Sequence, residues 1–447
     1  MGITIVQKSD LGARKRNPKI ALVLAGGAVT GGGYKLGGLK ALDDFLVNRK
    51  TTEFDCYVGL SAGAVLAAPL AAGVSPAEMV KSLAGESEQF TRLAGSDFYA
   101  PNFRELLTRP ARFAFDTLTY LPGAVGDVMR QLPTLAEAIK APIEEVWRTP
   151  SIATLQGVLE PIGAALSKRR SMPSALDYLP SGLFDNASIE AYLRHNFEVA
   201  GLPNEFRALY RRTNKELYIS AMNLDTAERV VFGHDEDTSV TISEAVQAST
   251  ALPGFYKPAR IRGIDYVDGG VRRTANIDVA IEHGADLVIC YNPFRPFSNR
   301  VRRIEKNGKY HIEGRPLAES GVLTVINQVF RTLLHSRLQY GLRQYQDDPN
   351  FRGDIVVIEP KETDLHFFQL SALAFWQRIA AANYGYISVT ESIQQNYDLI
   401  KQVLESYGIL MTRKQVRAGV ERIREEGAEE SSSVLTDDIP RRNLSVA

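Results

Sequence analysis

Short runs rich in β-branched and aromatic residues, set between segments of helical period, constrain this chain most. Ile20–Leu24 is wholly apolar, and similar runs stand at 54–58, 217–221, 229–232, 264–267, 287–291 and 355–358. A strand covered on both faces reads as a continuous apolar run rather than an alternating one. Between the runs, Leu36, Leu39, Leu42, Phe45 and Leu46 fall at helical spacing, and further helical patterns lie at 243–248 and 277–283. This rhythm predicts an α/β fold: a three-layer sandwich with a central, mostly parallel sheet. The stretch 97–183 breaks it, with nine prolines and no strand-like run, and is predicted to be a helical insertion.

The remaining divisions follow composition. Residues 1–18 read as a polar N-terminal tail, 19–295 as the α/β domain carrying insert 97–183, 296–411 as a C-terminal extension of mixed strand and helix, and 412–447 as a disordered tail. Lys and Arg number 52 against 52 Asp and Glu, so no net field collects phosphate backbones, and nucleic acid is not an expected partner. The two cysteines, Cys56 and Cys290, sit apart in apolar runs, which fits buried strand residues and rules out a disulfide scaffold or a cysteine zinc site. No calcium or zinc ligand pattern is present, and neither metal nor cofactor is expected. The basic residues Arg14, Arg16 and Lys19 precede an apolar run too short for a secretory signal. No stretch has the length of a membrane span. The expected location is cytoplasmic, with peripheral membrane contact left open.

Three motifs carry chemistry. Gly59-Leu60-Ser61-Ala62-Gly63 joins a strand-like run to a small, apolar helical segment, so Gly59 and Gly63 can flank a nucleophile elbow that exposes the Ser61 hydroxyl. The bland alternative is a serine that caps the helix. Gly26 to Gly33, with five glycines, can turn backbone N–H groups toward an anion, as a phosphate loop or an oxyanion loop. It lacks the Gly-Lys-Ser/Thr ending of a Walker sequence, and the dinucleotide pattern fails at Leu36. Asp268-Gly269-Gly270 ends another strand-like run and offers a turn or a carboxylate base. A Ser-acid-His arrangement using His283, His311, His335 or His366 stays open beside the Ser-Asp reading.

Assembled, these motifs make the chain resemble the patatin-like phospholipase family from about Lys19 to Pro293. Leu183-Phe184-Asp185-Asn186, the run 219–225 and the run 248–258 look like further family segments. The resemblance implies Ser61 as nucleophile, Asp268 as its base, and the amides of Gly26, Gly27 and Ala28 as oxyanion donors. It implies a phospholipase A-type or general carboxylic ester hydrolase acting in lipid degradation on a lipid or other ester. One departure stands out: Ala28 replaces the family's third loop glycine, and Thr30 or Gly31 stands where a basic residue is usual, with Lys35 further along. The competing readings are a patatin-fold membrane-binding or scaffold protein without activity, and a serine amidase. Aromatic residues between Arg104, Arg109 and Arg112, with a second basic cluster at Lys168, Arg169 and Arg170, suggest an insert that covers the site and docks on lipid.

Overall fold

The computed structural model describes residues 2–149, 154, 157–158, 161, 174–306, 309–427 and 432–437. The chain forms two compact units, Met1–Ala100 with Phe184–Ala447, and Pro101–Leu183.

The larger unit is built on a nine-stranded sheet. Its strands are β1 (Ile3–Gln7), β2 (Ile20–Leu24), β3 (Cys56–Gly59), β4 (Glu216–Asn223), β5 (Arg229–Phe232), β6 (Ala259–Ile261), β7 (Ile264–Asp268), β8 (Leu287–Tyr291) and β9 (Asp354–Ile358). The order is β1-β9-β8-β2-β3-β4-β7-β6, with β5 paired to β4 off this path. The five strands from β9 to β4 run parallel, and β1, β5, β7 and β6 join antiparallel.

Both faces of the sheet are covered. Ile20, Leu22 and Leu24 of β2 point into one core with helices α1 (Ala28–Phe45), α2 (Ala62–Ala71) and α3 (Pro76–Ala84), whereas Ala21 and Val23 point into the other. That period of two on a strand buried both ways is why the run contains no polar residue. Cys56 and Cys290 are fully buried in β3 and β8.

The smaller unit, taken by itself, centres on α4 (Phe103–Arg148). Glu105 accepts hydrogen bonds from the amide and hydroxyl of Ser181, and Tyr178 donates to Asp116 at 2.7 Å. The basic cluster Lys168 to Arg170 lies outside the described residues.

In the larger unit the chain continues with α5 (Ala187–Val199), α6 (Ile242–Thr250), α7 (Val322–Asp347), α8 (Arg378–Gln395) and α9 (Lys414–Glu426).

Four boundaries differ from the sequence reading. The first 18 residues are not all tail, because Ile3–Gln7 is the edge strand β1 and the Lys8 and Ser9 amides cap the Asp354 carboxylate. The insert begins at Pro101 rather than 97, since Phe98 packs its ring on Phe375 inside the larger unit. Residues 296–411 are no separate extension: the apolar run at 355–358 needs cover on both faces, and obtains it as part of β9 between β1 and β8. The proposed tail from 412 forms α9, whose Val416, Val420 and Ile423 are buried at helical spacing behind its charged residues.

Candidate active site

The parallel strands deliver their loops to one end of the sheet, and the three motifs meet there. From Gly59, paired with Leu24, the chain turns through Leu60 and Ser61 into α2. Ser61 adopts φ 53°, ψ −127°, a region that non-glycine residues rarely occupy. A Cβ on Gly63 would stand 2.0 Å from the Leu24 carbonyl oxygen, so the elbow closes only with glycine there. Although Ser61 is in the N-cap position of α2, its side chain makes no cap hydrogen bond. Its hydroxyl bonds instead to the Asp268 carboxyl. The helix-cap reading of this serine is therefore set aside.

Asp268 reaches the same place from β7. In the sheet register Gly59 lies opposite Ile219, and Asp268 lies opposite Ala221, two residues further along β4. The step from Gly59 to Ser61 is also two residues, which levels the two side chains across the intervening strand. Asp268 is buried and its Oδ1 accepts the Gly270 N–H at 2.8 Å. Burial raises its carboxyl to about 6, against the hydrogen bonds from Ser61 and Gly270 and the Lys35 charge, all of which favour the carboxylate. Such a group is mostly ionised at neutral pH yet still basic enough to take a hydroxyl proton. Gly269 and Gly270 continue into a short 3-10 turn after Asp268.

The described histidine side chains lie elsewhere. His283 bonds the Val279 carbonyl and faces Glu236, and His335 lies 3.4 Å from Glu359. His366 packs on Tyr384, His234 stacks on Tyr210, and His195 is exposed. The His311 side chain lies outside the described residues. Among the described histidines none bonds Ser61.

The glycine-rich segment is shorter as a loop than its composition suggests, because α1 begins at Ala28 and Gly31 to Gly33 are helical, with Gly33 packed against α8. Gly27 takes φ 146° and Ala28 φ 52°. A Cβ on Gly27 would come within 2.7 Å of the Pro293 ring. The amides of Val29 and Thr30 are spent on the Ala372 carbonyl, at 3.0 and 3.3 Å. Among the described residues no hydrogen bond takes up the N–H of Gly26, Gly27 or Ala28. A Cβ on Gly26 would sit 3.4 Å from Ser61 Cβ, so the loop lies directly against the elbow.

Sequence reasoning left out the parts played by Ser249, by Lys35, noted there only as a basic residue further along, and by the pocket. Ser249 Oγ accepts the Ser61 amide at 2.8 Å and so fixes the elbow, although only its family segment had drawn notice. Lys35 is fully buried, and its ammonium donates to the carbonyls of Ala25 and Gly26. Burial brings Lys35 down to about 7, with the Asp268 charge opposing.

The pocket is the third omission. An apolar pocket is lined by Ser61, by Val29, Leu36, Val65 and Leu66 of the first two helices, and by Leu83, Leu93, Phe98 and Ile189. Leu252, Tyr256, Leu373 and Phe375 complete an apolar wall, with Thr250 and Arg378 as polar exceptions. These positions run from 29 to 378, and no single sequence window reveals them. Among the described residues no cluster of three or more His, Cys, Asp or Glu could hold a metal ion, and no helix is long and apolar enough to cross a membrane.

Comparison with known proteins bears out the family resemblance. Residues 22–281, more than half of the chain, match the patatin-like phospholipase family. A probable lipid hydrolase, 463L of Invertebrate iridescent virus 6, is 24% identical over 104 residues, covering 23% of this chain and 36% of the viral protein. The chain thus spans about a third of that relative's length. Among solved structures, VipD from Legionella pneumophila is 16% identical with a TM-score of 0.31, over 97% of this chain and 92% of that one. A human cytosolic phospholipase A2 in complex with methyl gamma-linolenyl fluorophosphonate is 11% identical with a TM-score of 0.28, over 88% and 59%. With more than half its length matched by the family, this chain belongs to the patatin-like phospholipases.

Proposed function

We propose that the protein is a serine lipid acyl hydrolase, a carboxylic ester hydrolase that works through a Ser61–Asp268 dyad. One observation carries the reading: the Ser61 hydroxyl bonds a buried carboxyl at the wall of an apolar pocket. Ser61 Oγ attacks the ester carbonyl carbon while its proton passes to the Asp268 carboxylate. The oxyanion is received by the N–H groups of Gly26, Gly27 and Ala28, each such donor typically worth about 3 kcal/mol in the transition state. The carbon–oxygen bond to the leaving alkoxide then breaks, and Asp268 returns the proton to it. Water attacks the acyl-serine as Asp268 again accepts the proton; the bond between the acyl carbon and Ser61 Oγ then breaks, Asp268 returns the proton to Oγ, and the free acid leaves.

The pocket supports an acyl chain as the part of the substrate that is held. Each buried methylene contributes about 0.8 kcal/mol, so a long chain supplies binding energy that the three polar lining groups do not. Contact with a lipid surface belongs to the same reading. In the smaller unit Phe103, Leu107, Phe115 and Leu118 are exposed on α4 beside the exposed Arg104 and Arg112.

The test is turnover of p-nitrophenyl octanoate and of a phosphatidylcholine by the wild type and by Ser61→Ala. Hydrolysis by the wild type and none by the variant is expected. Equal rates in both would overturn the assignment. Folded wild type without turnover of either ester would favour a scaffold role, and cleavage of an amide but not the esters would move the chemistry to acyl amides.

A further inference from the structure

The loop that faces the elbow has no basic residue of its own, and a basic residue reaches it from inside the fold. Lys35 lies on α1 well beyond the loop, with 0% of its side chain exposed. Burying an ammonium among apolar neighbours is costly unless its protons are taken up. Here they go to backbone: Nζ donates to the carbonyls of both Ala25 and Gly26, the latter at 2.9 Å. Among the described residues no carboxylate bonds it directly, although Asp268 is near enough for its charge to act on Lys35.

Peptide geometry turns this contact into an orientation. In a planar trans peptide the carbonyl and the following N–H point to opposite sides. Fixing the Ala25 carbonyl on Lys35 therefore aims the Gly26 N–H away from it, and fixing the Gly26 carbonyl does the same for the Gly27 N–H. Those two amides are among the three that no described hydrogen bond takes up. Thr30, which with Gly31 is one of the two residues that could stand at the place of a basic loop residue, is turned to the Ala372 carbonyl instead.

We infer that Lys35 is a positioning residue for acyl transfer, holding the two carbonyls so that the Gly26 and Gly27 amides stay preset for the oxyanion. The inference rests on the acyl-transfer reading of Ser61. Lys35 touches no substrate, so its loss leaves the apolar pocket intact and acts on the transition state. A misplaced donor costs about as much as a missing one, on the order of a hundredfold in rate.

The experiment compares Lys35→Met, which keeps length and removes charge and donors, with Lys35→Gln, which keeps a donor on an unbranched stem. Turnover of p-nitrophenyl octanoate, the rate of inactivation by a fluorophosphonate and thermal unfolding are measured on wild type and both variants. The expected result is a kcat lower by about ten- to a hundredfold for Lys35→Met, with KM within about threefold of wild type and a parallel fall in inactivation rate. Lys35→Gln should fall between the two while remaining folded. Wild-type kcat in a folded Lys35→Met protein overturns the inference, as does a rise in KM alone. Failure of both variants to fold assigns Lys35 to stability and equally overturns it. These outcomes are separate from failure of the acyl-transfer reading, which appears in the wild type itself as absent turnover, or as turnover that survives Ser61→Ala.

Discussion

Ser61 and Asp268 meet across an intervening strand: the serine follows β3, the aspartate ends β7, and β4 runs between them with Ile219 opposite Gly59 and Ala221 opposite Asp268. Two strand spacings, roughly 10 Å, separate their parent strands. The turn at Ser61 brings its hydroxyl back over that gap. Both groups are held in place, the Ser61 amide by donating to Ser249 Oγ and the Asp268 carboxylate by accepting the Gly270 N–H.

Asp268→Asn removes the proton acceptor and keeps the shape. Ester turnover should fall by at least about a hundredfold, within the range that general-base catalysis contributes, while the circular dichroism spectrum is unchanged. Retained turnover would show that another group takes the Ser61 proton.

The same carboxyl sets a pH dependence. Its proton must be absent for it to act as base, so log kcat/KM should fall as pH drops through about 6. Stability runs the other way. A folded pKa raised to about 6 from 3.8 means the native state binds this proton more tightly than the unfolded chain, so the Asp268 contribution weakens as pH rises through that window. The unfolding free energy of Asp268→Asn relative to wild type should therefore improve between pH 4 and 7. A pH-independent difference would contradict the burial of this charge.

Gly27→Val is expected to lower kcat by about tenfold to a thousandfold, with a smaller effect on KM. Gly27 needs φ 146°, and a side chain there would meet Pro293 at 2.7 Å. Steady-state kinetics on p-nitrophenyl octanoate reads the split. An unchanged kcat/KM would remove the loop from the chemistry.

The elbow was legible because its chemistry leaves marks in neighbouring residues: Gly59, Ala62 and Gly63 are small where the chain turns hard, and Asp268 precedes two glycines. Asp268 was named through the family resemblance with the histidines left open beside it; the sheet register that levels it with Ser61 is carried by no local pattern. Lys35 stood out only as a basic residue further along from the loop; its burial on the Ala25 and Gly26 carbonyls, near Asp268 and Cys290, depends on how α1 folds back over the sheet. The apolar pocket is assembled from loops and helices far apart in the chain, and α9 hid its buried Val416, Val420 and Ile423 among charged residues.

The pocket predicts a chain-length preference. At about 0.8 kcal/mol for each methylene buried, kcat/KM for p-nitrophenyl esters should rise about fourfold per added methylene from the butyrate until the pocket is filled. Replacing Leu66 with Trp should shorten the best chain, because Leu66 lines the wall near Ser61 on α2. A flat profile from C4 to C12 would place the acyl chain elsewhere.

For contact with a lipid surface, the double variant Arg104→Gln and Arg112→Gln removes two exposed cations from α4. At about 1 kcal/mol per basic residue near an anionic leaflet, partition onto phosphatidylserine-containing vesicles should drop by roughly thirtyfold, with soluble ester turnover unchanged. Absence of vesicle binding by the wild type at physiological salt would end this part of the reading.

The most direct test of the central claim is stoichiometric labelling with a fluorophosphonate, followed by peptide mass spectrometry. One adduct per chain on Ser61, formed in step with loss of ester turnover and slowed at least about a hundredfold in Asp268→Asn, is the result the dyad predicts. An adduct on any other residue, or full ester turnover by protein that takes up no label, would contradict it.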